Sequence, residues 1–178
     1  MQEDKVLQLT RAQKIAGNVI AGVYIIACGV VLLLAGLGVF GEVSVGKLAL
    51  PTVLLTIGLV FFTTAIIQRN SVSLWLAFAF ITPAVVSYLA NFTALTYAQL
   101  YPLYVAIPAI CSLFTMPMSG VNRDHIKVIA FFGIIAGLFA LNSSGLLGWK
   151  VVLPMLLVFV GLCIILVAFM ARREREND

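Results

Sequence analysis

The sequence predicts an all-α fold, a polytopic membrane helical bundle of six transmembrane helices built as three repeated hairpins. Three observations carry this expectation. The chain is 62% hydrophobic and only 10% charged, with a mean hydropathy of +1.13, whereas a soluble domain is near a quarter charged. Its 178 residues hold too little polar surface to cover a water-exposed fold. Six apolar runs alternate with short polar breaks. Finally, Lys47-Leu-Ala-Leu-Pro51 leading to Gly58 has a near copy in Lys150-Val-Val-Leu-Pro154 leading to Gly161, and a weaker one in Gln99-Leu-Tyr-Pro102 leading to Ala109. Each proline is followed seven residues later by the small residue. That spacing is the mark of an internal repeat.

Residues 1–14 mix Glu3, Asp4, Lys5, Arg11 and Lys14 with Val6, Leu7 and Leu9, and read as a cytoplasmic interfacial lead-in. The apolar run behind them exceeds a signal-peptide h-region and has no small-residue cleavage pattern, so it reads as a retained span. The transmembrane domain is expected over 15–171, with hairpins at about 15–67, 74–115 and 128–171. Span one, 15–40, carries small pairs every seven residues: Ala21-Gly22, Cys28-Gly29 and Ala35-Gly36. Small residues at heptad spacing let two helix backbones approach closely, so Gly22, Gly29 and Gly36 are expected at a helix contact.

A short turn holding Glu42 and Lys47 leads to span two, 48–67, with Pro51 in its first turn, where a missing N–H costs little. Span three, 74–91, should kink at Pro83. Span four, 101–115, carries Pro102 and Pro108, stops at Met116-Pro117, and is short for a straight crossing of a core about 30 Å thick, so it is expected to start within the preceding link or to sit in a locally thin region. Span five, 128–141, holds Ala130, Gly133, Gly137 and Ala140, a small stripe containing GxxxG, so Gly133 and Gly137 are also expected to pack a helix. Span six, 150–171, ends in the charged tail 172–178, read as solvated and cytoplasmic.

Charge sets the orientation. With six spans both termini share a side. The termini and the breaks at Arg69 and at Arg123 and Lys127 hold nine of the 11 Lys and Arg residues, against Lys47 and Lys150 opposite. The positive-inside rule then places both termini in the cytoplasm of a cell (inner) membrane. Tyr97, Tyr101, Tyr104 and Trp149 suit an outer aromatic belt and Trp75 an inner one. Basic residues scattered singly fit anionic headgroups, and no nucleic-acid partner is expected.

No span carries Asp, Glu, Lys, Arg or His between the interfaces, which weighs against a proton- or sodium-coupled transporter or a pump acting alone. Neither a catalytic constellation nor a cofactor or metal site is expected. The single histidine, His125, lies in a polar break beside Asp124 and reads as an exposed loop residue. Cys28, Cys111 and Cys163 lie singly in apolar runs and read as small packing residues. Asn18, Thr56, Thr63, Thr64, Ser87, Asn91 and Asn142 serve either to line a cavity or to hydrogen-bond between helices. Because Pro83 and Pro108 free backbone carbonyls in the middle hairpin, any ligand cavity is expected there, near Pro83, Asn91 and Pro108.

The repeating unit resembles the LiaI–LiaF-like transmembrane region of bacterial membrane proteins, a Gly- and Leu-rich span, a short turn, then a proline and a Leu-rich helix with a glycine. The match runs over 29–61 and 133–164, including Gly148-Trp149 and Leu153-Pro154 to Gly161. It departs from the family pattern in the third hairpin and in showing no soluble domain. The resemblance implies a role in cell-envelope stress sensing or regulation and supplies no catalytic residues. The expected function is therefore that of a non-enzymatic regulator or scaffold binding lipid, other membrane proteins or itself. The alternative is a small transporter, or a transporter subunit, for a neutral or apolar solute.

Overall fold

The computed structural model describes residues 10–40 and 44–176. The lead-in up to residue 9, Glu42 and the last two residues lie outside them. Six helices follow in chain order: α1 (Arg11–Gly36), α2 (Val45–Gln68), α3 (Ser71–Phe92), α4 (Tyr97–Ser119), α5 (Arg123–Ser143) and α6 (Trp149–Glu176). All six are long and apolar enough to cross a membrane.

Polar caps set where the helices begin. Thr10 and Gln13 form a capping box, the Thr10 N–H donating to Gln13 Oε1 at 2.9 Å. Asn70 Oδ1 accepts from the Val72 N–H at 2.9 Å, and Asn122 Oδ1 from the Asp124 N–H at 3.3 Å. At the start of α4 the Thr96 N–H donates to Gln99 Oε1 at 3.0 Å. These caps start the helices several residues before the apolar runs do. The largest consequence is for α4, which continues through Pro117 and closes at Gly120 (φ +78°). Its 23 residues reach about 35 Å at 1.5 Å per residue, so the span gains full length by starting within the preceding link, one of the two expectations for it. At the other end of the chain α6 continues helical through the charged residues to Glu176. Pro51, expected in the first turn, is the seventh residue of α2, because the helix begins at Val45.

The helices run up and down and pack in chain order, α1 on α2, α2 on α3, α3 on α4 and α4 on α5, and among the described residues α6 touches only α5. The start of α1 and the end of α6 therefore share one end of the bundle, called here the terminal end. The most extensive contacts, α2 with α3 and α4 with α5, fall between the expected hairpins rather than inside them. Gly58 explains the first. A methyl group there would meet Ile81 Cγ1 at 2.6 Å and the Ala77 carbonyl oxygen at 3.1 Å, so only glycine allows this approach. On α3, Ala77 beside it and Ala84 farther along are fully buried.

The two halves of the bundle differ in emphasis, with phenylalanine packing strongest in one and polar bonds between helices most numerous in the other. Toward the terminal end, phenylalanines interlock: Phe61 with Phe80, Phe62 edge-on to Phe78, and Phe78 stacked on Phe114 at 4.4 Å. Toward the far end, hydroxyl and amide groups join the helices.

Candidate functional site

The far-end polar network spans four helices. Thr52 Oγ1 of α2 lies 2.8 Å from Tyr88 Oη of α3. Ser87 Oγ, one residue back, lies 3.2 Å from Tyr104 Oη of α4. Adjacent positions on a helix point about 100° apart, so Ser87 and Tyr88 serve opposite neighbours. Tyr101 of α4 donates to the Phe139 carbonyl at 3.1 Å and to Asn142 Oδ1 at 2.8 Å on α5. Asn142 in turn donates to the Leu147 carbonyl at 2.8 Å, tying down the turn before α6. Trp149 closes this side, with ring centroids 6.4 Å from Tyr101 and 5.8 Å from Phe139.

At the head of α2 the network meets the backbone. Asn91 Nδ2 donates to the Lys47 carbonyl oxygen at 2.7 Å, and Tyr97 Oη donates to Asn91 Oδ1 at 3.3 Å. Lys47 is the residue four before Pro51, and its carbonyl is the one a helical N–H at position 51 would have bonded. Asn91 supplies the donor that the proline lacks.

Of the three residues expected around a cavity, two stand at the same level along neighbouring helices. The Ser87–Tyr104 bond sets the antiparallel register of α3 and α4, which places Pro83 and Pro108 at one level, a turn below that bond. Asn91 sits eight residues beyond Pro83, about 12 Å along the helix. It belongs to the α2–α3 contact instead.

The other polar residues divide between two uses. Thr56, Thr63 and Thr64 donate to carbonyls one turn back in their own helix, at 2.8–2.9 Å. Thr63 also reaches Tyr24 Oη of α1 at 3.2 Å, while Asn18 is exposed. Among the described residues, the expected packing glycines other than Gly36 have no close neighbour from another helix. Nothing lies within 4 Å of a methyl group placed at Gly22, Gly29, Gly133 or Gly137, and at Gly36 only Val45 Cγ2 comes to 3.8 Å.

His125 is part of helix α5 rather than of a loop, with Nε2 3.0 Å from Ser119 Oγ at the end of α4. Asp124 turns away from it to pair with Lys127 at 3.2 Å, both side chains largely exposed. Such a pair contributes little to stability. The three cysteines are unpaired, and no cluster of three or more His, Cys, Asp or Glu side chains forms among the described residues.

Fold and network together define a multi-pass helical membrane protein whose polar groups join helices. No family model matches the chain, and neither a curated protein nor a solved structure is significantly similar to it.

Proposed function

We propose that this chain is a non-enzymatic membrane scaffold or regulator that presents its outer helices to other membrane proteins or to itself. The observation that carries this reading is the set of uncovered glycines on α1 and α5. Exposed Ile26, Leu33, Leu157 and Ile164 suit lipid tails without further explanation. Glycine does not, because it lowers helix propensity by roughly 1 kcal/mol against alanine and offers lipid almost no surface. Gly22 and Gly29, and Gly133 and Gly137 between Ala130 and Ala140, make sense where another helix comes close. The Lys and Arg bias supports a cytoplasmic terminal end in a cell (inner) membrane. The resemblance to LiaI–LiaF-like regions supports envelope stress as the setting.

Affinity capture of the full chain from its native membranes tests the reading. A defined membrane partner retained by wild type and lost in Gly133→Leu/Gly137→Leu is the expected result. A solitary chain in both cases overturns it.

The transport reading has one observation of its own, the two prolines level with each other on α3 and α4 below a cluster of hydroxyls. Labelling of a cysteine placed at Thr52 or Ser87 by a membrane-impermeant maleimide would favour it, and protection of both would remove it.

A further inference from the structure

Two turns join helices at the terminal end, Arg69-Asn70 between α2 and α3 and residues 120–122 between α4 and α5. The turn between α3 and α4, residues 93–96, lies at the far end. The most extensive helix contacts follow the same division, α2 with α3 and α4 with α5. Among the described residues, α1–α3 meets α4–α6 only through α3 and α4. The backbone therefore joins the two blocks at the far end and leaves them unjoined at the terminal end.

What holds α3 to α4 changes along their length. At the far end Ser87 Oγ lies 3.2 Å from Tyr104 Oη, and Tyr97 Oη donates to Asn91 Oδ1 at 3.3 Å. On the terminal side of Pro83 and Pro108, no hydrogen bond joins these two helices among the described residues. The aromatic contact there is Phe78 on Phe114, with ring centroids 4.4 Å apart and planes 12° from parallel. It lies about 8 Å beyond the prolines, and Phe114 is half exposed. Thr115, buried one residue on, donates to the Cys111 carbonyl of its own helix at 2.6 Å, a bond that survives if the helices part. Each block is firm at this end. Gly58 of α2 sits tight against Ala77 and Ile81 of α3, and Ser119 Oγ of α4 lies 3.0 Å from His125 Nε2 of α5.

The two halves of the α3–α4 contact therefore differ in what separation costs. Parting the far half strands hydroxyl and amide groups in lipid. Parting the terminal half exchanges apolar side chains for lipid tails that are equally apolar. Pro83 and Pro108 stand level with each other between the halves. Each removes one helical hydrogen bond and makes its helix easiest to bend at that level.

We propose that α2–α3 and α4–α5 are the two arms of a clamp that parts at the terminal end, bending at Pro83 and Pro108 and closed by the Phe78–Phe114 stack. The clamp goes beyond the scaffold and transport readings and operates under either.

The test measures distances between spin labels on the full chain in lipid nanodiscs, with Cys28, Cys111 and Cys163 replaced by alanine. One pair, Ile66→Cys with Val121→Cys, spans the arms at the terminal end. A second, Leu50→Cys with Leu141→Cys, spans them at the far end; all four positions are exposed. The terminal pair is expected to show a short and a long population, and the far pair a single narrow one. Phe114→Ala is expected to raise the long fraction about threefold or more, and Phe114→Leu, which keeps bulk without the stack, to raise it too. Pro83→Ala with Pro108→Ala is expected to shrink it. A single narrow terminal distribution that neither Phe114 variant changes overturns the clamp. Equal broadening of both pairs overturns it as well, and a long population that survives loss of both prolines overturns the hinge.

Discussion

Asn91 Nδ2 donates a 2.7 Å hydrogen bond to the carbonyl of Lys47, the group that Pro51 leaves without its helical partner. A proline inside a membrane helix needs a neighbour to satisfy the carbonyl it frees. Here the neighbour is the last polar residue of α3, and the bond fixes the register in which α3 lies along α2. The two residues are therefore one device.

The device predicts coupling in a double-mutant cycle. Asn91→Leu should destabilise the chain by about 1 kcal/mol, the range of interhelical hydrogen bonds in membranes. In a Pro51→Ala background, where a backbone N–H again reaches Lys47, the same change should cost clearly less. Reversible unfolding in mixed micelles measures both arms, and strict additivity would show that the two residues act separately.

Glycines of the same composition should respond oppositely. Gly58→Ala sets a methyl group 2.6 Å from Ile81 Cγ1 and 3.1 Å from α3 backbone atoms, and should cost about 1–3 kcal/mol as an overpacked contact. Gly133→Ala meets nothing within 4 Å and should stabilise the isolated chain by up to about 1 kcal/mol through helix propensity. Thermal unfolding of the two variants in detergent gives the signs directly.

Tyr101→Phe removes both bonds from α4 to α5 while keeping the ring between Phe139 and Trp149. The expected loss is about 0.6–1.7 kcal/mol. Because Asn142 also holds the Leu147 carbonyl, faster proteolysis at the 143–148 turn should accompany it. Unchanged cleavage there would separate Tyr101 from the turn.

Orientation is open to a direct measurement. With Cys28, Cys111 and Cys163 replaced by alanine, Val121→Cys at the terminal end should be shielded from an impermeant thiol reagent in intact cells and labelled after lysis. Ser144→Cys at the far end should label in intact cells. The reverse pattern would invert the reading taken from the Lys and Arg counts.

Much of this was legible in the amino-acid order. Six helices follow from six apolar runs, because backbone groups in lipid must bond within their own segment. Asn91 and Asn142 were visible as polar residues at span ends, and Gly58 as the small residue seven after a repeated proline. Their uses were not. The helix starts were misjudged because caps such as Thr10, Asn70 and Thr96 lie outside the apolar runs, and moving the start of α2 to Val45 changed what Pro51 does. Gly22, Gly29 and Gly58 look alike on paper, since a sequence records which helices are able to approach closely and not which neighbours they have.

The sequence by itself determined the class, the number of spans and their alternation. Each depends on local hydropathy or on spacing along one chain. The tertiary structure decided the pairings: that α2 packs hardest on α3 and α4 on α5, that Asn91 answers Pro51, and that Gly161 and Gly22 are left uncovered. Those facts depend on which faces of different helices meet, and helix association in a membrane is driven by packing and hydrogen bonds between particular side chains rather than by apolar burial that composition reveals.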